Sequence, residues 1–121
     1  MKILGIDDND ELLGLSEVLL TSEGHEYTGI DNGRDCLQAI RDEKFDIVLL
    51  DLSMPEFSGM DVIDALVKDG IMNKQKIVVF TATNPTKKEI ELYLEKGVHS
   101  VLSKPLDVDQ FIAHIQKMLT E

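Results

Sequence analysis

The alternation of short apolar runs with amphipathic stretches is the feature that most limits the fold of this chain. Five such runs recur along the sequence, and after each one the apolar residues return every three or four positions, as in helices. Short strands that alternate with helices predict a parallel sheet with helices on both faces. The predicted strands cover residues 2–7, 26–30, 45–50, 76–81 and 98–103.

The helix boundaries follow from capping residues and glycines. Asn9, Ser58 and Asp107 are each placed to cap a helix, and Asn84 with Pro85 is expected to open the fourth. The predicted helices lie at about 9–24, 33–43, 58–70 and 84–97, with a fifth from 107 onward.

The strand order follows from how apolar each run is. The IVLL and IVVF runs are apolar at every position, which is typical of central strands, whereas the weaker second run suits an edge. Five strands of this kind commonly order as 2-1-3-4-5, the flavodoxin-like (βα)5 fold of the α/β class. The length of 121 residues predicts a single domain across 1–121.

The formal net charge of −11 disfavours nucleic acid as a partner, because both carry negative charge. The chain has no apolar run near the ~18 residues of a membrane span. Its one cysteine, Cys36, cannot form an internal disulfide. We therefore expect a cytoplasmic protein that binds neither membrane nor nucleic acid.

Polar and charged residues follow four of the predicted strands. Asp7 and Asp8 follow the first strand, Asp51 the third, Thr81 ends the fourth, and Lys104 follows the fifth. In an open parallel sheet these carboxyl ends share one rim, where ligands bind at the point at which the strand order switches. Clustered carboxylates repel each other unless a cation joins them, and hard oxygen ligands favour Mg²⁺. The lysine leaves room for an anion, such as a phosphoryl group, beside the metal.

Each signal taken alone has an ordinary structural explanation. Asp7 and Asp8 could favour a helix start, Thr81 could simply end a strand, and a Lys104-Pro105 pair is common. Their shared position around one crevice is what favours a site.

The set resembles the receiver domain of two-component response regulators, of the stand-alone chemotaxis type, across the whole chain. The matching features are Asp7-Asp8, Asp51 within LLDLSMPEFSG, Thr81-Ala82 after IVVF, and Lys104-Pro105. The spacings are typical of the family: 43 residues from Asp8 to Asp51, 30 from Asp51 to Thr81 and 23 from Thr81 to Lys104.

The resemblance implies a phosphorylation-activated signalling switch. Asp51 would take a phosphoryl group from a histidine kinase, a phosphotransfer protein or a small phosphodonor. Mg²⁺, or Mn²⁺ in its place, would be held by Asp8 directly, by Asp7 largely through water, by Asp51, and by the backbone carbonyl of Ser53.

The resemblance also assigns the phosphate contacts and the turns. Lys104, the Thr81 hydroxyl and the Ala82 backbone N–H would bind phosphoryl oxygens. Pro55 and Gly59 would shape the loop after Asp51. A cis peptide bond would precede Pro105.

The implied output is a change in the face formed by helix 4, strand 5 and helix 5, which a protein target reads. The chain would act without an output domain, as a monomer that can dimerise on phosphorylation. It would catalyse only its own phosphorylation and autodephosphorylation, and so is not classed as an enzyme. One departure from the family is Val101, a position that is usually aromatic; we expect output coupling to differ there.

Three other functions compete with this interpretation. A phosphorylation-independent, receiver-like interaction domain would be marked by loss of a site residue such as Asp51 or Lys104. A phosphatase of the haloacid dehalogenase type would need an aspartate in place of Ser53. A flavodoxin would need a hydroxyl-rich phosphate loop after strand 1, where this chain has DDNDE.

Overall fold

Five parallel strands form one sheet at the centre of the structure, a computed structural model that describes residues 1–82, 84–104 and 107–121. The strands are β1 (Lys2–Ile6), β2 (Glu26–Ile30), β3 (Ile47–Leu50), β4 (Ile77–Thr81) and β5 (Ser100–Ser103). The helices are α1 (Asp10–Ser22), α2 (Gly33–Asp42), α3 (Gly59–Lys68), α4 (Lys87–Glu95) and α5 (Val108–Leu119), with a 3-10 turn at Met72–Lys74. The strand order is β2-β1-β3-β4-β5, so the predicted flavodoxin-like fold is confirmed.

The sheet separates two apolar layers. Leu4, Val48 and Val79 pack on the side of α2 and α3, while Leu49 and Val78 pack on the side of α1 and α5. All residues of β3 and β4 are buried, whereas β2 is half-buried or exposed throughout. The predicted central and edge strands are therefore confirmed.

Backbone pairing brings the strand ends level at the carboxyl rim. The N–H of Asp51 donates to the carbonyl of Ile6 at 3.0 Å, which fixes the end of β3 beside the end of β1. The N–H of Lys104 donates to the carbonyl of Thr81 at 2.9 Å, which does the same for β5 and β4. The residues that follow these strands consequently meet in space.

Two strands, β3 and β5, begin two residues later than the sequence predicts. The N–H and carbonyl of Phe45 pair with the buried Gln75 side chain at 3.2 and 2.5 Å, so that β3 starts at Ile47. The N–H of Val98 donates to Tyr93, which keeps it in the turn after α4. Hydrogen bonds to groups outside the sheet replace strand pairing at both places.

The predicted start of α4 at Asn84 and Pro85 is wrong. Thr86 is the N-cap, and its hydroxyl accepts from the N–H of Glu89 at 3.1 Å while the Glu89 carboxylate accepts from the N–H of Thr86 at 3.1 Å. This reciprocal capping box satisfies two backbone donors, so the helix begins directly after Thr86. The other predicted caps, Asn9, Ser58 and Asp107, are confirmed.

Within the described parts of the chain, every helix is too short or too polar to cross a membrane.

Candidate functional site

Three carboxylates meet where β1 and β3 end. Asp7 and Asp51 are both only 4% exposed, and Asp8 is exposed to solvent. One oxygen from each of the three lies within 4.8 Å of the others. The fold thus brings together the acids that the sequence places after two separate strands.

Backbone amides orient the two buried acids. The N–H of Asn9 donates to Asp7 Oδ1 at 3.0 Å, and the N–H of Ser53 donates to Asp51 Oδ1 at 3.3 Å. In both cases the aspartate side chain accepts a hydrogen bond from the N–H two residues later, which is an Asx-turn. Each turn fixes one carboxylate at the rim.

Lys104 reaches the same cluster from the end of β5. Its ammonium donates to Asp7 Oδ2 at 2.5 Å and lies 3.7 Å from Asp51 Oδ1. The lysine side chain is only 16% exposed. A largely desolvated cation therefore offsets part of the negative charge of the cluster.

The environment raises the pKa of Asp51 above its ordinary value. Burial is the main cause and the charge of Asp7 is the second; Lys104 and the Ser53 N–H act in the opposite direction, and Asp8 adds a smaller increase. The folded protein therefore disfavours the ionised form of Asp51, and a further cation at the cluster would stabilise that form.

The donor set fits Mg²⁺. The cluster offers hard carboxylate oxygens, and the exposure of Asp8 gives an ion access to the water ligands that Mg²⁺ retains. Asp7, Asp8 and Asp51 are the residues that could hold it.

The remaining residues of the predicted site lie on β4, on β5 and in the loops that follow β3 and β4. Thr81 is fully buried at the end of β4, and Ala82 follows it in an exposed bend. Ser53 is exposed in the loop after Asp51. Val101 is half-buried and packs against the core layer on the α2 and α3 side. The predicted cis bond before Pro105 falls outside the described residues.

The loop from β3 to α3 is tightly built. The N–H of Phe57 donates to the carbonyl of Pro55 at 2.8 Å, which closes a γ-turn around Glu56, whose φ is 65°. A Cβ on Gly59 would lie 2.3 Å from the carbonyl oxygen of Asp51, closer than real atoms approach. The start of α3 can approach the acid only because residue 59 is glycine.

Two contacts at the site escape sequence reasoning. The guanidinium of Arg34 lies 5.0 Å from the centre of the Phe57 ring, on the loop just described. The ammonium of Lys104 lies 5.5 Å from the centre of the Phe80 ring. The sequence identifies Phe80 only as a strand residue, and its place immediately before Thr81 is the one available signal.

The fold and site together define a flavodoxin-like α/β domain with a cluster of acids at the switch point of its sheet that could hold a cation. Residues 3–116 match the response regulator receiver domain family. The chain belongs to the response regulator receiver domains.

Similar proteins agree with this assignment. The DNA-binding response regulator MtrA of Mycolicibacterium paratuberculosis is 32% identical over 118 residues, which are 98% of this chain and 51% of MtrA. The polar-differentiation response regulator DivK of Brucella anthropi is 28% identical over 97% of this chain and 94% of its own length. The chain thus spans about half the length of the first of these relatives.

A solved structure shares both fold and length. The response regulator protein TrrA of Thermotoga maritima, in complex with Mg²⁺-BeF, superposes with a TM-score of 0.82 at 25% identity and covers 97% of each chain. The chain is therefore a receiver domain of two-component signalling, and such domains are phosphorylation-activated signalling modules. Response regulators receive their signal from histidine kinases and pass it to downstream targets.

Proposed function

We propose that Asp51 is the phosphoacceptor of this switch. The observation that carries the proposal is the pairing of a buried Asp51 carboxylate with Lys104, 3.7 Å away, inside a cluster of acids that fits a divalent cation. A carboxylate with this environment can act as a nucleophile toward phosphorus. The donor is the phosphohistidine of a kinase or phosphotransfer protein, or a small acyl phosphate.

The reaction exchanges one bond to phosphorus for another. An oxygen of Asp51 forms the new P–O bond while the P–N bond of the phosphohistidine breaks, and the released imidazole takes a proton from solvent. Attack of water on the same phosphorus later returns Asp51 and inorganic phosphate. We include this autodephosphorylation in the proposal, so the domain catalyses only its own modification and reversal.

The metal would be held by Asp8 directly, by Asp7 largely through water, by Asp51 and by the backbone carbonyl of Ser53. Mg²⁺ is the proposed ion, with Mn²⁺ able to replace it because both accept hard oxygen ligands. When bound, the ion neutralises charge that develops on the phosphoryl oxygens. The Mg²⁺-BeF complex of TrrA supports the same choice here.

The phosphoryl oxygens would be bound by Lys104, by the Thr81 hydroxyl and by the N–H of Ala82. Lys104 lies between Asp7 and Asp51, so it needs only a short movement to leave Asp7 for an incoming phosphoryl oxygen. Phosphorylation adds about −1.5 to −2 charges and three acceptor oxygens, which draw these groups inward. Pro55 and Gly59 keep the loop after Asp51 compact.

The output is proposed to be a change in the surface of α4, β5 and α5, read by a downstream protein. Val101 gives this surface no aromatic side chain to rotate, so the Thr81 movement must be transmitted differently. The proposal takes 1–121 as one receiver domain, a cytoplasmic monomer that can dimerise on phosphorylation. Its net charge of −11 argues against direct contact with nucleic acid or with an anionic membrane.

Intact mass spectrometry after incubation with acetyl phosphate and Mg²⁺ tests this proposal. We expect one added phosphoryl group on the wild type, and none on Asp51→Asn or after removal of Mg²⁺. Asp109→Asn is the matched control, because Asp109 is an exposed acid on α5. An unmodified wild type, or a modified Asp51→Asn, would show that the proposed phosphoacceptor is wrong.

A further inference from the structure

We infer that Phe80 is a positioning residue for Lys104: its ring holds the lysine ammonium between Asp7 and Asp51. The inference rests on the proposed function, in which Lys104 binds a phosphoryl oxygen. It concerns how this chain keeps a flexible side chain at the place where that oxygen arrives.

The contact has the geometry of a cation–π interaction. The Lys104 ammonium lies 5.5 Å from the centre of the Phe80 ring, within the ~6 Å over which a ring face attracts a cation. Phe80 is 5% exposed and the Lys104 side chain 16% exposed. Such an interaction is strongest where water is excluded, as it is here.

A lysine needs such a support because it carries a point charge on a long flexible stem and has no fixed fork of donors. Asp7 binds the ammonium at 2.5 Å, and Asp51 attracts it from 3.7 Å. Both attractions act from the side of the acids. The ring of Phe80 adds a third contact, which requires no hydrogen bond from the ammonium. The ammonium can therefore move its hydrogen bond from Asp7 to a phosphoryl oxygen while it stays over the ring.

The ring itself is held in place from behind. Phe80 stacks on Phe111 of α5 with ring centres 5.8 Å apart and an angle of 28° between the rings. Phe111 is 2% exposed and belongs to the core layer on the α1 and α5 side. The side chains of Phe80 and of its neighbour Thr81 leave β4 on opposite faces of the sheet, as successive strand residues do. The last two residues of β4 thus serve the site from two sides.

A double-mutant cycle tests the inference. Affinity for beryllofluoride, which stands in for the phosphoryl group, is measured by calorimetry in saturating Mg²⁺ for the wild type, Phe80→Leu, Lys104→Met and the double variant. Phe80→Leu should weaken binding about 3- to 10-fold, as expected for one desolvated cation–π contact. In the Lys104→Met background the same substitution should change the affinity less than about twofold, because no cation is left for the ring to attract.

Phe45→Leu is the matched control. Phe45 is a phenylalanine that is also buried, at the opposite end of the sheet, and its replacement should leave the beryllofluoride affinity within about twofold of wild type. Thermal unfolding of every variant shows whether it is folded. If Phe80→Leu does not fold, Phe80 is replaced by trifluorophenylalanine, whose ring keeps its shape but has lost the negative face; the same weakening is expected.

The outcomes separate this inference from the proposed function. Equal losses in the two Lys104 backgrounds, or full affinity with the fluorinated ring, would mean that Phe80 acts through packing alone and would overturn the inference while the proposed function stands. A wild type that is neither phosphorylated nor bound by beryllofluoride contradicts the proposed function and removes the inference with it. The proton NMR shift of the Lys104 ε-methylene checks the contact independently of any ligand: the ring should move it upfield, and Phe80→Leu should abolish that shift.

Discussion

Lys104 donates a hydrogen bond to Asp7 at 2.5 Å, whereas its contact with Asp51 is an ion pair at 3.7 Å without a hydrogen bond. The lysine therefore already neutralises part of the negative charge of Asp7 and Asp51 that would attract a divalent cation. Cation and lysine repel each other, and both are attracted by Asp7. Metal binding and the position of Lys104 are consequently linked.

Replacing Lys104 by Met should tighten Mg²⁺ binding. The substitution removes a positive charge beside the metal ligands, and at the effective dielectric of a partly buried site this is worth about 3- to 10-fold in affinity. Titration of Mg²⁺ followed by the NMR shifts of the neighbouring amides measures the change. In the same variant, the rate of phosphorylation by acetyl phosphate should fall.

Lys117→Met is the control for net charge, since Lys117 is an exposed lysine near the far end of α5. Its effect on Mg²⁺ affinity should be negligible at moderate ionic strength, where distant charges are screened. Unchanged or weaker binding of Mg²⁺ by Lys104→Met would contradict the linkage.

Asp51→Asn should stabilise the metal-free protein at neutral pH. The pKa of Asp51 is raised in the folded state, by burial first and by Asp7 second, so the folded protein binds its proton more tightly than the unfolded chain does. The wild type therefore loses stability as pH rises from the ordinary aspartate value of about 3.9 through the raised folded value. The amide of asparagine carries no charge and avoids this loss.

Thermal unfolding in chelator, measured across pH, checks this prediction. The variant should unfold a few degrees above the wild type at neutral pH, and the difference should disappear at acid pH, where Asp51 is protonated in both states. Addition of Mg²⁺ should reverse the order, because the wild type retains the complete set of carboxylates. A less stable Asp51→Asn in chelator would mean that the attraction of Lys104 outweighs burial and the charge of Asp7.

The sequence was sufficient to predict the fold because its signals are periodic and mutually consistent. The fully apolar IVLL and IVVF runs are typical of central strands, and in a parallel sheet the residues after them share one rim. Boundaries were less accurate where a side chain competes with the backbone. The Gln75 side chain binds the backbone of Phe45 in place of a strand partner, so β3 begins later than predicted. The Thr86–Glu89 capping box makes α4 begin after Thr86 and not at Asn84.

Within the site, sequence could locate the acids but could not give their contacts. Lys104 lies 2.5 Å from Asp7 and 3.7 Å from Asp51, and the order of the residues does not determine which acid is the nearer. The Phe80 ring beneath the lysine depends on which face of β4 it occupies relative to α5. Apart from the place of Phe80 immediately before Thr81, neither relation leaves a pattern in the residue order.

Gly59→Ala should destabilise the protein by about 2–3 kcal/mol, in the range for overpacking of a well-packed region. The new Cβ would lie 2.3 Å from the Asp51 carbonyl oxygen and 2.7 Å from Leu52 Cα, so the start of α3 must move away from the site. Phosphorylation by acetyl phosphate should slow at the same time, because the carboxylate of Asp51 is held by the turn that this contact supports. Denaturant unfolding and the phosphorylation rate measure the two effects.

Gly14→Ala is the matched control for that substitution. Gly14 is exposed within α1, and a Cβ at this position would have no neighbouring side chain or loop atom within 4 Å. Alanine in a helix interior is favoured over glycine by about 0.5–1 kcal/mol. This variant should therefore be more stable than wild type, with phosphorylation unchanged. If Gly59→Ala left the free energy of unfolding and the phosphorylation rate as unimpaired as Gly14→Ala does, the close approach of α3 to Asp51 would not contribute to stability.

The γ-turn at Glu56 should be sensitive to the shape of the residue at its centre. Glu56 has a φ of 65°, a conformation that costs a residue with a Cβ roughly 1–2 kcal/mol and suits β-branched residues least. Glu56→Val should accordingly lower the free energy of unfolding by about 1 kcal/mol, while Glu56→Gly should unfold at the same temperature as the wild type or higher. Both variants remove the same exposed carboxylate, so their difference in denaturant unfolding isolates the backbone from the charge. If valine and glycine gave equal stability, the positive φ would not be maintained in solution, and the loop after Asp51 would have to adopt another turn.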